Sequence, residues 1–98
     1  MYCSGQIGID PSTGKLEEGV VAQTKRVFEN LAAVLEEAGL GLKDVVKTTV
    51  FMADITEFQQ MNEEYSKHFS HPFPARSTVE VRALPKGARV EIDALALR

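Results

Sequence analysis

The sequence has little of what marks several large classes of protein. It contains one cysteine, no tryptophan and no basic excess, since 11 lysines and arginines stand against 14 aspartates and glutamates and the formal net charge is -3. A lone cysteine cannot form an internal disulfide, which favours a reducing compartment such as the cytoplasm. An acidic chain with 7% aromatic residues lacks the basic, aromatic surface typical of nucleic-acid-binding proteins. Nucleic acid is therefore not expected as a partner.

Long apolar runs are also lacking. No segment approaches the ~20 consecutive apolar residues that span a bilayer, and residues 1–4 lack the basic start and apolar segment of a signal peptide. A chain of 98 residues, with 44% hydrophobic and 26% charged residues, is large enough for one hydrophobic core but not for two. We therefore expect a single domain in the cytoplasm with no membrane contact.

Apolar residues at helical spacing predict two amphipathic helices. The first covers residues 19–38 and ends at Gly39, a residue suited to a C-terminal cap. The second begins with a capping box formed by Thr56 and Gln59, because a threonine followed three residues later by glutamine can close the first turn. Beyond it lie His68 and His71, which we predict to be surface residues. No cysteine or carboxylate cluster accompanies them, so no metal site is expected.

Alternation with a period of two predicts the strands. These cover residues 2–9 and 44–53, and two further runs that flank the turn signal Pro85-Lys86-Gly87. In the first of these runs Arg76, Thr78 and Glu80 alternate with Ser77, Val79 and Val81. In the second, Glu91 and Asp93 alternate with Val90, Ile92 and Ala94. We predict one small apolar side of the sheet and one polar side that carries Arg76, Thr78 and the carboxylates.

The strand pattern also predicts an oligomer. Two helices can cover only one face of a sheet, and the last strand is apolar on both sides beyond Asp93, so a second copy of the chain is expected on the other face. Arg76 and Glu91 lie near the beginnings of strands that we predict to be antiparallel. They should be on the order of 15 Å apart within one chain, and we expect them to meet only across a subunit interface.

Four separated motifs resemble those of one known family. They are Ser4-Gly5-Gln6-Ile7-Gly8, Val46-Lys47-Thr48-Thr49-Val50-Phe51, Asn62 with Tyr65, and Pro74-Ala75-Arg76-Ser77 followed by Leu84 and Val90-Glu91-Ile92. In this order, and over nearly the whole chain, they resemble the signature of the RidA (YjgF) family. The resemblance implies an α+β fold of the chorismate-mutase-like type, with a mixed sheet, two helices on one face, and assembly as a homotrimer with clefts between subunits.

This sequence also departs from the family pattern in two places. Members of the family usually begin with a further segment that forms strands and contains Gly-Pro-Tyr, whereas this sequence begins inside the second of those strands. We therefore expect one RidA-like domain over residues 1–98 that lacks the N-terminal strands and the tyrosine of the family's cleft. Many members carry cysteine where this chain has Thr78.

Family members hydrolyse reactive enamines and imines, and the resemblance implies the same substrates here. These are 2-aminoacrylate, 2-iminopropanoate and 2-iminobutanoate, which become 2-oxo acids and ammonia. Arg76 would bind the substrate carboxylate, Glu91 would activate water and protonate the leaving nitrogen, and Thr78 would donate a hydrogen bond. The remaining lining would come from Ser4, Gly5 and Asn62. The partner is thus a small imino or keto acid, and no cofactor is expected.

Simpler interpretations remain open for each of these residues. Arg76 could form a structural ion pair with Glu80, and Glu91 one with Arg89 or Arg82. Thr78 could be an ordinary strand residue, because its β-branch suits a pleated surface, and Asn62 an exposed helix residue. Two other functions also remain open, a regulatory module that binds small carboxylates and, disfavoured by the acidic composition, an endoribonuclease or translation inhibitor.

Overall fold

The structure of the protein is a computed structural model that describes residues 1–97. The strands in this range are β1 (Tyr2–Ile7), β2 (Ile9–Asp10), β3 (Lys15–Leu16), β4 (Val45–Met52), β5 (Ala75–Glu80) and β6 (Val90–Ala96). The helices are α1 (Val20–Glu37) and α2 (Phe58–Ser66), and short 3-10 turns lie at Leu42–Asp44, Ile55–Glu57 and Pro85–Gly87. The predicted elements are thus present, with the small β2–β3 hairpin added.

Four strands form one mixed sheet in the order β1-β6-β4-β5. β4 pairs with β5 in parallel and with β6 antiparallel, and β1 pairs with β6 antiparallel. The predicted α+β class and mixed sheet are confirmed. β5 and β6 run antiparallel to each other, as expected from the connection through residues 85–87, but they are not neighbours because β4 lies between them.

Both helices pack on the same face of this sheet. Residues at helical spacing on α1 meet residues at a spacing of two on β4 and β6, which is how an amphipathic helix buries its apolar stripe against a sheet. The fully buried members of this core include Val27, Phe28, Leu31, Leu35, Val50, Met52, Met61 and Ile92. On the opposite face Leu95 and Leu97 are 37% and 57% exposed. Coverage of that face by a second copy stays a prediction.

Gly39 ends α1 as expected. Its φ of 75° is left-handed, a conformation that glycine adopts without strain. The backbone N–H of Gly39 donates to the carbonyl of Glu36, and that of Leu40 donates to the carbonyl of Leu35. This pair of bonds is the Schellman arrangement, in which a left-handed residue satisfies carbonyls left unpaired at a helix end.

The start of α2 differs from the prediction. Thr56 does not form a capping box with Gln59, because the Asp54 carboxylate takes the capping role one turn earlier. Oδ1 of Asp54 accepts hydrogen bonds from the backbone N–H of Thr56 at 2.9 Å and from its hydroxyl at 2.6 Å. A carboxylate is a stronger acceptor than a hydroxyl, and the chain enters α2 through the 3-10 turn Ile55–Glu57 that Asp54 caps.

β4 begins with a bulge that sequence alternation does not reveal. The pairing with β6 shifts between Val45 and Lys47, so Val45 is buried and Val46 is 42% exposed. An extra residue in one strand reverses the alternation on its N-terminal side. Strict alternation from Thr48 and Val50 predicts Val46 on their side of the strand, and the bulge makes that prediction wrong.

Candidate active site

Arg76 lies at the start of β5, on the face of the sheet that the helices cover. It pairs with Thr48 of β4, whose side chain is buried in the core. Paired residues on adjacent strands project from the same face, so the Arg76 side chain extends toward α2. It is half-buried there.

Three side chains of α2 surround the Arg76 guanidinium. Its central carbon lies 4.7 Å from the centre of the Tyr65 ring and 5.3 Å from that of the Phe58 ring, within the range at which a cation is attracted to an aromatic face. Nη1 of Arg76 donates a hydrogen bond to Oδ1 of Asn62. The structure therefore brings together Asn62 and Arg76, two of the residues that the sequence selected.

A pocket of about 310 Å³ opens beside this guanidinium. Its lining residues, here termed the arginine pocket, are Asn62, Tyr65, Ser66, Phe73, Pro74 and Arg76. Within residues 1–97 no carboxylate forms an ion pair with Arg76. A guanidinium with no acidic partner, beside a pocket, is suited to bind a carboxylate through two parallel hydrogen bonds.

Thr78 lies two residues after Arg76 and projects from the same face. Its hydroxyl oxygen is buried and has no hydrogen-bond partner in the described part of the chain. Leaving a buried hydroxyl unpaired costs about 1–3 kcal/mol, so native structures rarely retain such a group without a use for it. This hydroxyl is free to bond to a ligand or a water molecule.

Glu91 lies on the opposite face of the sheet. It pairs with Phe51 of β4, whereas the next residue, Ile92, pairs with Val50 and is fully buried in the core. Burial raises the pKa of the Glu91 carboxyl, and the negative charge of Asp93 raises it further. A carboxylate with a raised pKa is a stronger proton acceptor than an ordinary one, which is the property required of a general base.

Gly5 lies against Glu91, and Ser4 precedes it in a bulge of β1 between Cys3 and Gln6. A Cβ atom on residue 5 would lie only 2.6 Å from Cδ of Glu91, so the carboxylate occupies the space that a side chain would fill. The close approach at Gly5 is thus made by a side chain of the same chain. Glu91, Gly5 and the exposed Ser4 are here termed the glutamate cluster.

The arginine pocket and the glutamate cluster do not meet within one chain. Arg76 pairs with Thr48 of β4, and Glu91 pairs with Phe51 of β4. Arg76 and Glu91 are therefore separated by three residues along the strand direction and by two strand spacings across the sheet. At ~3.3 Å per residue and ~4.8 Å per strand, their backbones are roughly 14 Å apart. The prediction that Arg76, Thr78 and Glu91 share a polar side is wrong, because pairing with β4 places β5 and β6 in opposite phase.

The ion pairs that would give these residues purely structural roles are not formed within residues 1–97. Glu80 does not pair with Arg76, and its carboxylate instead accepts a hydrogen bond of 2.8 Å from a backbone N–H just before α2. Arg89 does not pair with Glu91, and lies 2.8 Å from the carboxylate of Glu57. The charges of Arg76 and Glu91 are both left available to a ligand or to another chain.

The prediction for the two histidines is half right. His71 is exposed, but His68 is half-buried, because its ring stacks on Phe28 at 4.5 Å and its Nε2 lies 2.7 Å from the carboxylate of the buried Glu64. No group of three or more histidines, cysteines and carboxylates within residues 1–97 is arranged to hold a metal ion. Over the same range, neither helix has the length and apolar character of a membrane span.

The aromatic side of the arginine pocket was missed by reasoning from sequence. The apolar stripe of α2 explains Phe58 and Tyr65 as core residues, and both do pack against the core. Their contact with Arg76 arises only because β5 pairs with β4 beneath α2. Phe73 carried a detectable signal, since it is a large apolar residue immediately before the Pro-Ala-Arg motif, and it is 50% exposed.

Comparisons with known proteins find similarity to one family in both sequence and structure. Residues 1–98 match the protein-family profile described as Endoribonuclease L-PSP. The chain is 48% identical over 99 residues to a 2-iminobutanoate/2-iminopropanoate deaminase of Homo sapiens, covering 100% of this chain and 72% of that protein. It is similar in structure to RidA from the Antarctic bacterium Psychrobacter sp., with a TM-score of 0.94, 48% identity and coverage of 98% and 79%. It also resembles a putative endoribonuclease from Thermotoga maritima, with a TM-score of 0.95, 50% identity and coverage of 99% and 77%.

Proposed function

This chain belongs to the endoribonuclease L-PSP family, which is the YjgF/RidA family, and from that membership we propose that it hydrolyses reactive enamines and imines. The substrates are 2-aminoacrylate and its tautomer 2-iminopropanoate, together with 2-iminobutanoate. The products are the corresponding 2-oxo acids and ammonia. Relatives from Homo sapiens, Rattus norvegicus and Mus musculus carry the name of this activity.

The observation that carries the proposal is the state of Arg76. Its guanidinium is half-buried, has no acidic partner within residues 1–97 and faces a pocket of about 310 Å³. Each of these substrates carries a carboxylate next to the reacting carbon. Binding that carboxylate through two parallel hydrogen bonds fixes both the position and the plane of the substrate.

The complete site requires a second subunit. The glutamate cluster lies on the open face of the sheet, roughly 14 Å from Arg76 along the backbone by strand geometry, and a three-carbon imino acid cannot bridge that distance. We propose that the chain forms a homotrimer in which the arginine pocket of one subunit faces the glutamate cluster of the next. The same contact would cover the exposed Leu95 and Leu97.

The reaction follows from these positions. Glu91 takes a proton from water as the water oxygen bonds to the imine carbon, and passes that proton to the nitrogen, which gives a carbinolamine. Glu91 then takes the proton of the carbinolamine hydroxyl and delivers it to the nitrogen, the C–N bond breaks as the C=O bond forms, and ammonia leaves the 2-oxo acid. The Thr78 hydroxyl bonds to the water or to the imine nitrogen, and backbone groups of Ser4 and Gly5 complete the lining. Positioning and acid–base help of this kind need no cofactor.

A second candidate is a regulatory module that binds 2-oxo acids or related carboxylates without converting them. It is favoured by one observation, that the arginine pocket is formed within a single chain whereas the glutamate cluster lies elsewhere. Binding would then require only half of the site, and turnover would require the whole.

One set of measurements separates the candidates. 2-Iminopropanoate is generated in situ, its decay is followed with the wild type and with Arg76→Ala, and pyruvate binding is titrated in parallel. Turnover that is lost in Arg76→Ala is the result expected of the enzyme. Pyruvate binding without turnover would assign the module instead. RNA cleavage that survives Arg76→Ala would overturn both.

A further inference from the structure

The Arg76 guanidinium is held in place in an unusual way for a half-buried cation. Buried or half-buried arginines are normally compensated by a carboxylate, and the other half-buried arginines within residues 1–97 follow that rule. Arg26 contacts the carboxylates of Asp10, Glu17 and Glu29, and Arg89 contacts those of Asp54 and Glu57. Arg76 instead lies against two aromatic rings and one neutral amide.

The two kinds of contact use different parts of the guanidinium. An aromatic ring attracts the flat face of the cation, whereas hydrogen bonds are made in its plane by its five N–H groups. Within residues 1–97 the one hydrogen bond of this guanidinium is that from Nη1 to Oδ1 of Asn62, so its other N–H donors have no acceptor there. A carboxylate in place of the rings would take the bidentate edge that a ligand needs and would neutralise the charge that attracts it.

The Tyr65 ring is itself held in position. Its hydroxyl shares a buried hydrogen bond of 2.7 Å with the hydroxyl of Thr48, and Thr48 is the residue of β4 that pairs with Arg76. Edge contacts with Phe28, at 5.4 Å between ring centres, limit its rotation from the other side. The register that places Arg76 on the sheet thus also places the ring against which it rests.

We propose that Phe58 and Tyr65 are positioning residues for the carboxylate ligand, because they hold the Arg76 guanidinium in its binding orientation without an acidic residue. The inference rests on the proposed function in assigning the ligand to Arg76. It adds that ligand affinity depends on the aromatic character of residue 58, the more accessible of the two rings. Both rings act on the ligand through Arg76.

The test compares two leucine variants. Phe58→Leu removes a ring in contact with Arg76, whereas Phe69→Leu removes a half-buried ring of the same cluster whose ring contacts are with Phe28 and Tyr65. Loss of the cation–ring attraction should weaken pyruvate binding by about 2- to 30-fold in Phe58→Leu and raise KM similarly, with kcat nearly unchanged. Phe69→Leu should lower Tm without changing KM.

A second series separates attraction from shape. Fluorine atoms weaken the negative face of a phenyl ring but change its size little, so replacing Phe58 by mono-, di- and trifluorinated phenylalanine should lower pyruvate affinity step by step. This series remains informative even if Phe58→Leu does not fold. A flat or rising affinity, or a Phe58→Leu variant that matches Phe69→Leu in KM, would overturn the inference.

Arg76→Ala distinguishes the proposed function from the positioning role of the rings. If it abolishes pyruvate binding while changes at residue 58 have no effect, the proposed function stands and the positioning role is wrong. If Arg76→Ala binds pyruvate as the wild type does, both are wrong.

Discussion

Gly5→Ala is expected to displace the Glu91 carboxylate while leaving the arginine pocket intact. The added Cβ would lie 2.6 Å from Cδ of Glu91, whereas carbon atoms rest at about 3.5–4.0 Å. The end of the glutamate side chain must therefore move by about 1 Å. The Gly5 backbone itself can accept alanine, because its φ lies outside the left-handed range that strains other residues.

The expected loss is in catalysis rather than in stability. A positioned general base contributes about 10²–10⁴ in rate, and a misplacement of about 1 Å can cost ~10², so kcat/KM should fall about 100-fold. An off-rotamer glutamate costs ~0.5–1.5 kcal/mol. The gain of ~0.4–1 kcal/mol from replacing glycine offsets most of this. For a domain of this size, Tm should then change by no more than about 8 °C.

The assay follows 2-iminopropanoate decay and pyruvate binding for Gly5→Ala beside the matched control Gly41→Ala. At residue 41 an added Cβ would have Cγ of Lys43 as its nearest contact, at an ordinary 3.9 Å, and the backbone is extended. Sedimentation of both variants checks that assembly is unchanged. Wild-type turnover in Gly5→Ala, or a loss of pyruvate affinity equal to the loss of turnover, would refute the assignment of separate roles to Glu91 and Arg76.

Three further predictions follow from individual contacts. Arg76→Lys keeps the charge but loses the bidentate geometry, so pyruvate affinity measured by calorimetry should fall by about 10-fold or more, and an unchanged affinity would exclude two-bond recognition. Gly8→Ala places a Cβ 2.7 Å from the Gln23 backbone of α1, where overpacking costs ~1–3 kcal/mol. Thermal unfolding should show a Tm fall of at least ~4 °C. Because burial and then the charge of Asp93 raise the pKa of Glu91, turnover should be lost as pH falls through that raised pKa. Asp93→Asn should move this acid limb to lower pH, and a limb that stays in place would show that another group titrates.

Local sequence patterns predicted most of the fold. Both helices could be predicted from apolar spacing, and the left-handed Gly39 from its position after the last turn. The errors arose at two positions, the start of α2 and the start of β4. Asp54 rather than Thr56 is the capping residue, because its carboxylate accepts from both the backbone N–H and the hydroxyl of Thr56. A bulge exposed Val46 because one extra residue reverses alternation.

Only some of the functional residues could be predicted from the sequence. Arg76 and Glu91 could be selected from motif resemblance, and their separation within one chain could be reasoned from strand direction. Strand direction accounts for the three residues between them along β4, and the rest of the separation arises because β4 lies between their strands and places them on opposite faces. The aromatic partners of Arg76 could not be predicted, because Phe58 is more than ten residues away in the chain and its apolar spacing is fully explained by the core.

The sequence by itself determined the elements of this protein and the identity of its charged residues, because helical and strand periods and turn chemistry act over a few neighbouring residues. Only the tertiary structure decided which side chains share a face of the sheet. That outcome depends on strand order and register, and a shift of one residue moves every side chain of a strand to the other face. Register placed Arg76 beneath α2 against two rings, and placed Glu91 on the opposite face above Gly5.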